Sequence, residues 1–195
     1  MNNIELLAST GDKNIDRIVQ GVIGIFETVF PGRIRSYYLD GSYTDGTAIP
    51  HVSDIDGYII FKQDFLNATE REHDWHLVNQ CSHLTLPDLD IIPTTVGELT
   101  YVDNVTLHFN SVLMYGEDIR GQVPLPDIVL YSQILLYLIY RFLARVRDNP
   151  SFLTYPLEYP DPHAPFYGYD CRTIRTPDGR EQPSTKELIN CVGKP

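Results

Sequence analysis

Two aspartates separated by a single apolar residue, Asp54 and Asp56, constrain this sequence more than any other feature. They open the segment DIDGYIIF at 54–61, whose apolar and β-branched residues predict a strand. Residues two apart on a strand point to the same face of a sheet, so the two carboxylates project side by side. Like charges this close repel each other. The pair therefore predicts either a solvated strand end or a bound cation.

A Gly-Ser turn stands upstream of the aspartates. The segment RIRSYYL at 33–39 predicts a strand that runs directly into Gly41 and Ser42. Glycine lets the backbone approach a ligand closely, and a hydroxyl beside free N–H groups at a helix start binds anions. Two carboxylates supply the hard oxygen ligands that suit Mg²⁺ and leave room for substrate phosphates. The turn and the aspartates together predict a site for a metal-bound nucleoside triphosphate.

A third carboxylate would complete a two-metal site or deprotonate a nucleophile. Asp88 and Asp90 are the candidates, because they share one face of a third predicted strand at 88–93 and either could reach Asp56. Asp88 could instead cap a turn after Pro87. We predict that Asp90 is the functional residue, because it lies deeper in the apolar run, where a strand is held more firmly.

A longer motif surrounds these residues. The segment DGSYTDGTAIPHVSDIDGYIIF at 40–61 resembles the signature of the DNA polymerase β-like nucleotidyltransferase superfamily: an apolar strand, Gly-Ser, a spacer, then Asp-apolar-Asp-apolar. Ser42 and Asp54 are twelve positions apart, a spacing that is usual in that superfamily. The SDID form and the later LDIIP are most similar to the small bacterial branch containing aminoglycoside nucleotidyltransferases. The segment SVLMYGEDIRG at 111–121 also resembles the end of that branch's catalytic domain.

The resemblance implies an α/β (α+β) nucleotidyltransferase fold, with a mixed sheet and flanking helices. It also implies transfer of a nucleoside monophosphate from a nucleoside triphosphate such as ATP to an acceptor hydroxyl, with two Mg²⁺ ions bound alongside the nucleotide. Carried over to this chain, Gly41 and Ser42 hold the triphosphate, and Asp54 and Asp56 ligate the metal ions. Asp90 is the third metal ligand or the base. The alternative is a non-catalytic, antitoxin-like module of the same fold that binds another protein.

The chain is predicted to have two regions, a catalytic domain at 10–121 and a mostly helical region at 122–195. The predicted helices cover 15–30, 67–84 and 126–148, and a fourth strand lies within 105–116. Asn14 is the predicted cap of the first helix, and Ser184 is the predicted cap of a further one. The sequence ends about two turns after Ser184, so we expect the helical region to be truncated here.

Charge limits the partners. The chain has 15 Lys and Arg against 26 Asp and Glu, a net charge of −11, and shows no basic stripe, so no nucleic-acid partner is predicted. The acidic balance favours a small cationic acceptor, and a protein acceptor is equally open. The longest apolar stretch, 128–140, is too short to span a bilayer, and the N-terminus lacks a signal-peptide pattern. We therefore expect a cytoplasmic protein without a membrane partner.

Overall fold

The computed structural model describes residues 4–49, 53–85, 87–146, 173–176 and 178–183. The chain forms two compact units, Met1–Pro126 and Asp127–Pro195. The helix predicted to begin at Ser184 lies outside the described residues.

A four-stranded mixed sheet forms the centre of the first unit. Its strands are β1 (Ile34–Asp40), β2 (Ile55–Phe61), β3 (Leu89–Thr95) and β4 (Ser111–Gly116). Their spatial order is β3-β2-β1-β4. Strand β1 is antiparallel to both β2 and β4, whereas β2 and β3 are parallel. This mixed sheet, with helices packed against it, confirms the predicted α+β class.

Helices connect and cover the strands. In the first unit they are α1 (Lys13–Val29), α2 (Ser42–Asp45), α3 (Ala68–His83) and α4 (Tyr101–Phe109), with 3₁₀ turns at Val96–Glu98 and Arg120–Gln122. The second unit contains α5 (Ile128–Val146) and an antiparallel pair, β5 (Thr173–Arg175) and β6 (Glu181–Pro183). Within the described part of the chain, none of the helices has the length and apolarity needed to cross a bilayer.

Each face of the sheet packs into its own apolar cluster. Strand residues such as Leu39 and Ile59 join one cluster with α1 and α3. Tyr38 and Tyr58 join the other cluster, together with Leu107 of α4. This alternation follows from the two-residue period of a strand. It decides the face on which every other strand residue lies, including the aspartates at the strand ends.

Two local predictions are wrong in detail. Strand β3 continues through Pro93 to Thr95, although the proline predicts its end. Because β3 lies at the edge of the sheet among the described strands, with β2 as its one neighbour there, it tolerates a residue that lacks an N–H group. Helix α1 is capped by Asp12 instead of Asn14, since the Asp12 side chain accepts a hydrogen bond of 2.8 Å from the backbone N–H of Asn14.

One carboxylate of α3 is buried without a hydrogen-bond partner. Asp74 has no exposed surface, and neither of its carboxylate oxygens accepts a hydrogen bond from the residues that the structure describes. Burial, followed by the negative charge of Glu70, raises the pKa of Asp74 to about 7, although Arg33 and Arg71 oppose this shift. A buried carboxylate without a partner favours its protonated form, because burial penalises the charge.

We expect Asp74→Asn to stabilise the protein most strongly above neutral pH. The pKa of Asp74 is raised on folding from 3.8 to about 7, so its contribution to the free energy of unfolding is lost as pH rises through that interval. The variant's gain over wild type should grow by roughly 2–3 kcal/mol between pH 5 and pH 8, at 1.36 kcal/mol per pKa unit. Urea denaturation of both proteins at the two pH values measures this gain, and a pH-independent difference would contradict it.

Candidate active site

Three carboxylates converge where β2 and β3 begin. One oxygen from each of Asp54, Asp56 and Asp90 lies within 4.8 Å of the other two. Strand register explains the meeting of two of them, because Asp56 pairs with Asp90 across the parallel β2 and β3. Asp54 immediately precedes β2 and is buried, Asp56 is half-buried and Asp90 is exposed. The structure thus brings together the three residues that the sequence predicts as a group.

Asp88 does not belong to this group. It precedes β3, is exposed, and its backbone carbonyl accepts a hydrogen bond of 2.9 Å from the N–H of Ile55. That bond ties the start of β2 to the segment in front of β3. The backbone of Asp88 therefore helps to hold β2 in place. Its side chain is not among the converging carboxylates.

The Gly-Ser turn lies against the carboxylates. Gly41 has a φ of 70°, and a Cβ atom built on it would lie 2.4 Å from Oδ2 of Asp56. Only glycine therefore allows Asp56 to lie over the turn without moving. Ser42 is the first residue of α2, and the carbonyl of Gly41 accepts hydrogen bonds from the N–H and the hydroxyl of Thr44, at 2.9 and 2.7 Å. Gly41 and Ser42 are thus held next to the carboxylates.

A fourth carboxylate, which the sequence analysis does not single out, lies beside the predicted three. Asp40 is the last residue of β1 and pairs with Asp56 in the register of β1 and β2. Its Oδ1 atom is buried and has no hydrogen-bond partner within the described part of the chain. Burial, followed by the negative charges of Asp90, Asp103 and Asp54, raises the pKa of Asp40 to about 6.

Helix α4 supplies Asp103, a nearby carboxylate whose two oxygens both accept hydrogen bonds. Oδ1 of Asp103 accepts a hydrogen bond of 3.0 Å from the Tyr58 hydroxyl, and Oδ2 accepts bonds of 2.7 Å from the N–H and hydroxyl of Thr100. Burial and then the charge of Asp103 raise the pKa of Tyr58, which keeps this hydroxyl a donor. Asp103 therefore contributes negative charge near the site, while Oδ1 joins α4 to the sheet and Oδ2 caps the start of α4.

The donor set fits Mg²⁺. All three converging ligands are carboxylate oxygens, which hard divalent cations prefer, and their spacing allows one cation to contact all three. The exposure of Asp90 and the half-exposure of Asp56 leave coordination positions open to water and to substrate phosphates. A cation here would also offset the repulsion among the neighbouring carboxylates.

Comparison with known proteins gives fold-level similarities only. No protein-family model and no curated protein matches the chain. A solved toxin–antitoxin structure with AMP-PNP is similar, with 20% identity, a TM-score of 0.39, and coverage of 66% of this chain and 95% of that chain. A complex of a tri-AMPylated HEPN toxin with MNT antitoxin from Shewanella oneidensis has 17% identity, a TM-score of 0.39, and coverage of 70% and 98%.

Spectinomycin adenyltransferase AAD(9) from Enterococcus faecialis, solved with ATP and spectinomycin, has 12% identity and a TM-score of 0.48, with coverage of 68% of this chain and 67% of that chain. At these values the similarities do not carry the assignment by themselves. The features of this chain that bear on its fold are the sequence motif, the strand order and the converging carboxylates. The chain has the nucleotidyltransferase fold that its sequence motif predicts.

Proposed function

We propose that this protein is a metal-dependent nucleotidyltransferase that moves a nucleoside monophosphate from a nucleoside triphosphate to an acceptor hydroxyl. The observation that supports this function is the convergence of Asp54, Asp56 and Asp90 beside the turn at Gly41 and Ser42. Gly41 leaves room beside the turn for the carboxylate of Asp56.

Each residue has a role in the proposal. Asp54 and Asp56 hold Mg²⁺, and Gly41 and Ser42 hold the triphosphate through backbone N–H groups and the serine hydroxyl. Bound Mg²⁺ supplies stabilisation of negative charge on the attacking and leaving oxygens. Asp90, the exposed carboxylate of the three, takes the proton of the acceptor hydroxyl. The acceptor oxygen bonds to the α-phosphate, the α–β phosphoanhydride bond breaks, and pyrophosphate leaves.

Charge favours one class of acceptor. The net charge of −11 and the four neighbouring carboxylates attract a cationic small molecule and disfavour a nucleic acid, whose phosphates need basic contacts. We assign the chemistry to the region 10–121 and treat 122–195 as a second region. A protein hydroxyl is the other acceptor compatible with this site.

Thermal unfolding with each of the four nucleoside triphosphates tests the proposal. At least one triphosphate should raise the melting temperature in Mg²⁺ and not in EDTA. A ligand at 100 times its Kd stabilises by about 2.7 kcal/mol, which is a shift of several degrees in a domain of this size. Nucleoside alone with Mg²⁺ is the control, because it lacks the phosphates. The absence of a shift with all four triphosphates would contradict the proposal and favour the non-catalytic, protein-binding alternative.

A further inference from the structure

A threonine hydroxyl connects the turn between β1 and α2 to the far side of the sheet. The side chain of Thr44 donates a hydrogen bond of 2.7 Å to the carbonyl of Gly41, and the N–H of Thr44 donates a second bond of 2.9 Å to the same oxygen. The hydroxyl also lies 3.3 Å from the carbonyl oxygen of Asn110, the residue that caps the end of α4. Thr44 therefore ties the turn to the corner between α4 and β4.

These hydrogen bonds fix the orientation of one peptide group. A peptide bond that does not precede proline is planar and trans, so its C=O and its N–H point in opposite directions. The carbonyl of Gly41 and the N–H of Ser42 belong to the same peptide group. Because both donors of Thr44 hold the carbonyl on their side, the N–H of Ser42 points away from Thr44. Thr44 thus determines the direction of the Ser42 N–H.

The glycine in front of this peptide group makes such a restraint useful. Gly41 has a φ of 70°, and a Cβ atom built on it would lie 2.4 Å from Oδ2 of Asp56, so the position calls for glycine. Glycine also populates more backbone conformations than any other residue. A peptide group next to an unrestrained glycine can rotate, which would turn the N–H of Ser42 to the opposite side. The hydrogen bonds from Thr44 oppose this rotation.

We propose that Thr44 is a positioning residue of the triphosphate site, which acts through the carbonyl of Gly41 to hold the N–H of Ser42 toward the phosphates. This inference rests on the function proposed above and adds a residue to its site. Thr44 itself does not touch the nucleotide, because its hydroxyl donates to Gly41. An N–H that is already held in its binding direction avoids the cost of being ordered when the ligand binds. Loss of the hydroxyl therefore weakens the binding of triphosphate and not the binding of metal.

The same loop contains a matched control. Thr47 is exposed, and its hydroxyl donates a hydrogen bond of 2.6 Å to Oδ1 of Asp45. This bond joins two neighbouring side chains of the loop and does not involve the carbonyl of Gly41. Thr47→Val therefore removes the same kind of group from the same loop without releasing the peptide group between Gly41 and Ser42.

Calorimetric titration with Mg²⁺ and the nucleoside triphosphate that gives wild type the largest thermal shift tests the inference. Thr44→Val keeps the shape of the side chain and removes the hydroxyl, so the affinity should fall about threefold to tenfold, the range expected for one hydrogen bond. Thr44→Ala also lacks the hydroxyl and should show a loss of the same size. Thr44→Ser should bind within about twofold of wild type, because it keeps the hydroxyl, and so should Thr47→Val.

A second titration, with Mn²⁺ alone and followed by electron paramagnetic resonance, separates positioning from a general structural role. The Mn²⁺ affinity of Thr44→Val should equal that of wild type, because Asp54 and Asp56 are unchanged. A parallel loss of Mn²⁺ affinity would show that Thr44 supports the whole site and would overturn the inference.

Other outcomes separate this inference from the proposed function. Unchanged triphosphate affinity in Thr44→Val and Thr44→Ala would overturn the role of Thr44 and leave the function intact. A loss in Thr44→Ser or in Thr47→Val as large as that in Thr44→Val would show that the loop responds to any substitution, with the same consequence. A wild-type chain that binds none of the four triphosphates would overturn the proposed function, and this inference with it.

Discussion

The Asp56→Asn variant is expected to lose Mg²⁺-dependent nucleotide binding while keeping its fold. Asp56 is central to the site, since it pairs with carboxylates on both neighbouring strands and one of its oxygens lies against Gly41. Asparagine has nearly the same shape but carries no charge. Loss of a group that merely orients a metal ligand costs about 10–100-fold in affinity, so loss of the ligand itself should cost at least the upper value. The thermal shift with triphosphate and Mg²⁺ should therefore disappear.

An exposed aspartate of α2 controls for this substitution. Asp45 ends α2, is exposed, and its side chain accepts hydrogen bonds only from Thr47 among the contacts seen, at 2.9 and 2.6 Å. Asp45→Asn should keep the nucleotide-dependent shift. In EDTA, Asp56→Asn should melt at or above the wild-type temperature, because it removes repulsion with Asp40. A clearly lower melting temperature would make Asp56 structural, and an unchanged nucleotide shift would remove it from the site.

The part of the site that depends on short-range geometry could be predicted from the sequence. Asp54 and Asp56 share a face because a strand has a period of two, whatever the strand pairs with. The Gly-Ser turn is likewise local, since a residue with φ near 70° next to an aspartate calls for glycine. The assignment of Asp90 as the third carboxylate also depended on the resemblance to a known family, which places a third acid on the neighbouring strand.

Asp40 could not be identified in the same way, because its importance depends on sheet order. In the sequence it is one acid at the end of a strand, sixteen residues before Asp56. It lies beside the converging carboxylates only because β1 lies next to β2 in antiparallel register, with residue 40 opposite residue 56. Many registers are compatible with the apolar pattern of β1, so the pairing of two aspartates has no signature in the sequence.

Asp74 illustrates a conflict between position and chemistry. It lies three, four and seven residues before Leu77, Val78 and Cys81, which are the other buried residues of α3. Helical spacing therefore assigns it to the buried face. A carboxylate at such a position normally argues for a solvated face instead, and the many polar residues of 67–84 favour a polar-faced helix. In the structure the helical spacing, and not the charge, determines that Asp74 is buried. Its burial raises its pKa, which makes the stability of the protein depend on pH.

The Asp90→Asn variant is expected to bind Mg²⁺-nucleotide but to release little pyrophosphate. Asp90 lies within β3, paired with Asp56, so its backbone is fixed by the ladder of β2 and β3. It is also the exposed member of the three converging carboxylates, which an acceptor can reach. A base must lie within hydrogen-bonding reach of the hydroxyl that it deprotonates. Loss of such a base should lower the rate by about 10²–10⁴-fold.

Asp88→Asn is the matched control, two residues away along the chain and outside the converging group. Its rate of pyrophosphate release should stay within about threefold of wild type, because surface substitutions away from a site typically change free energies by no more than about 0.5 kcal/mol. Single-turnover pyrophosphate release measures the chemical step, and the thermal shift with triphosphate measures binding in the same variants. The reverse ranking, with Asp88→Asn slow and Asp90→Asn near wild type, would assign the base to Asp88. Loss of nucleotide binding in Asp90→Asn would make Asp90 a required metal ligand, because a residue that acts only as a base contributes to the rate and not to ground-state binding.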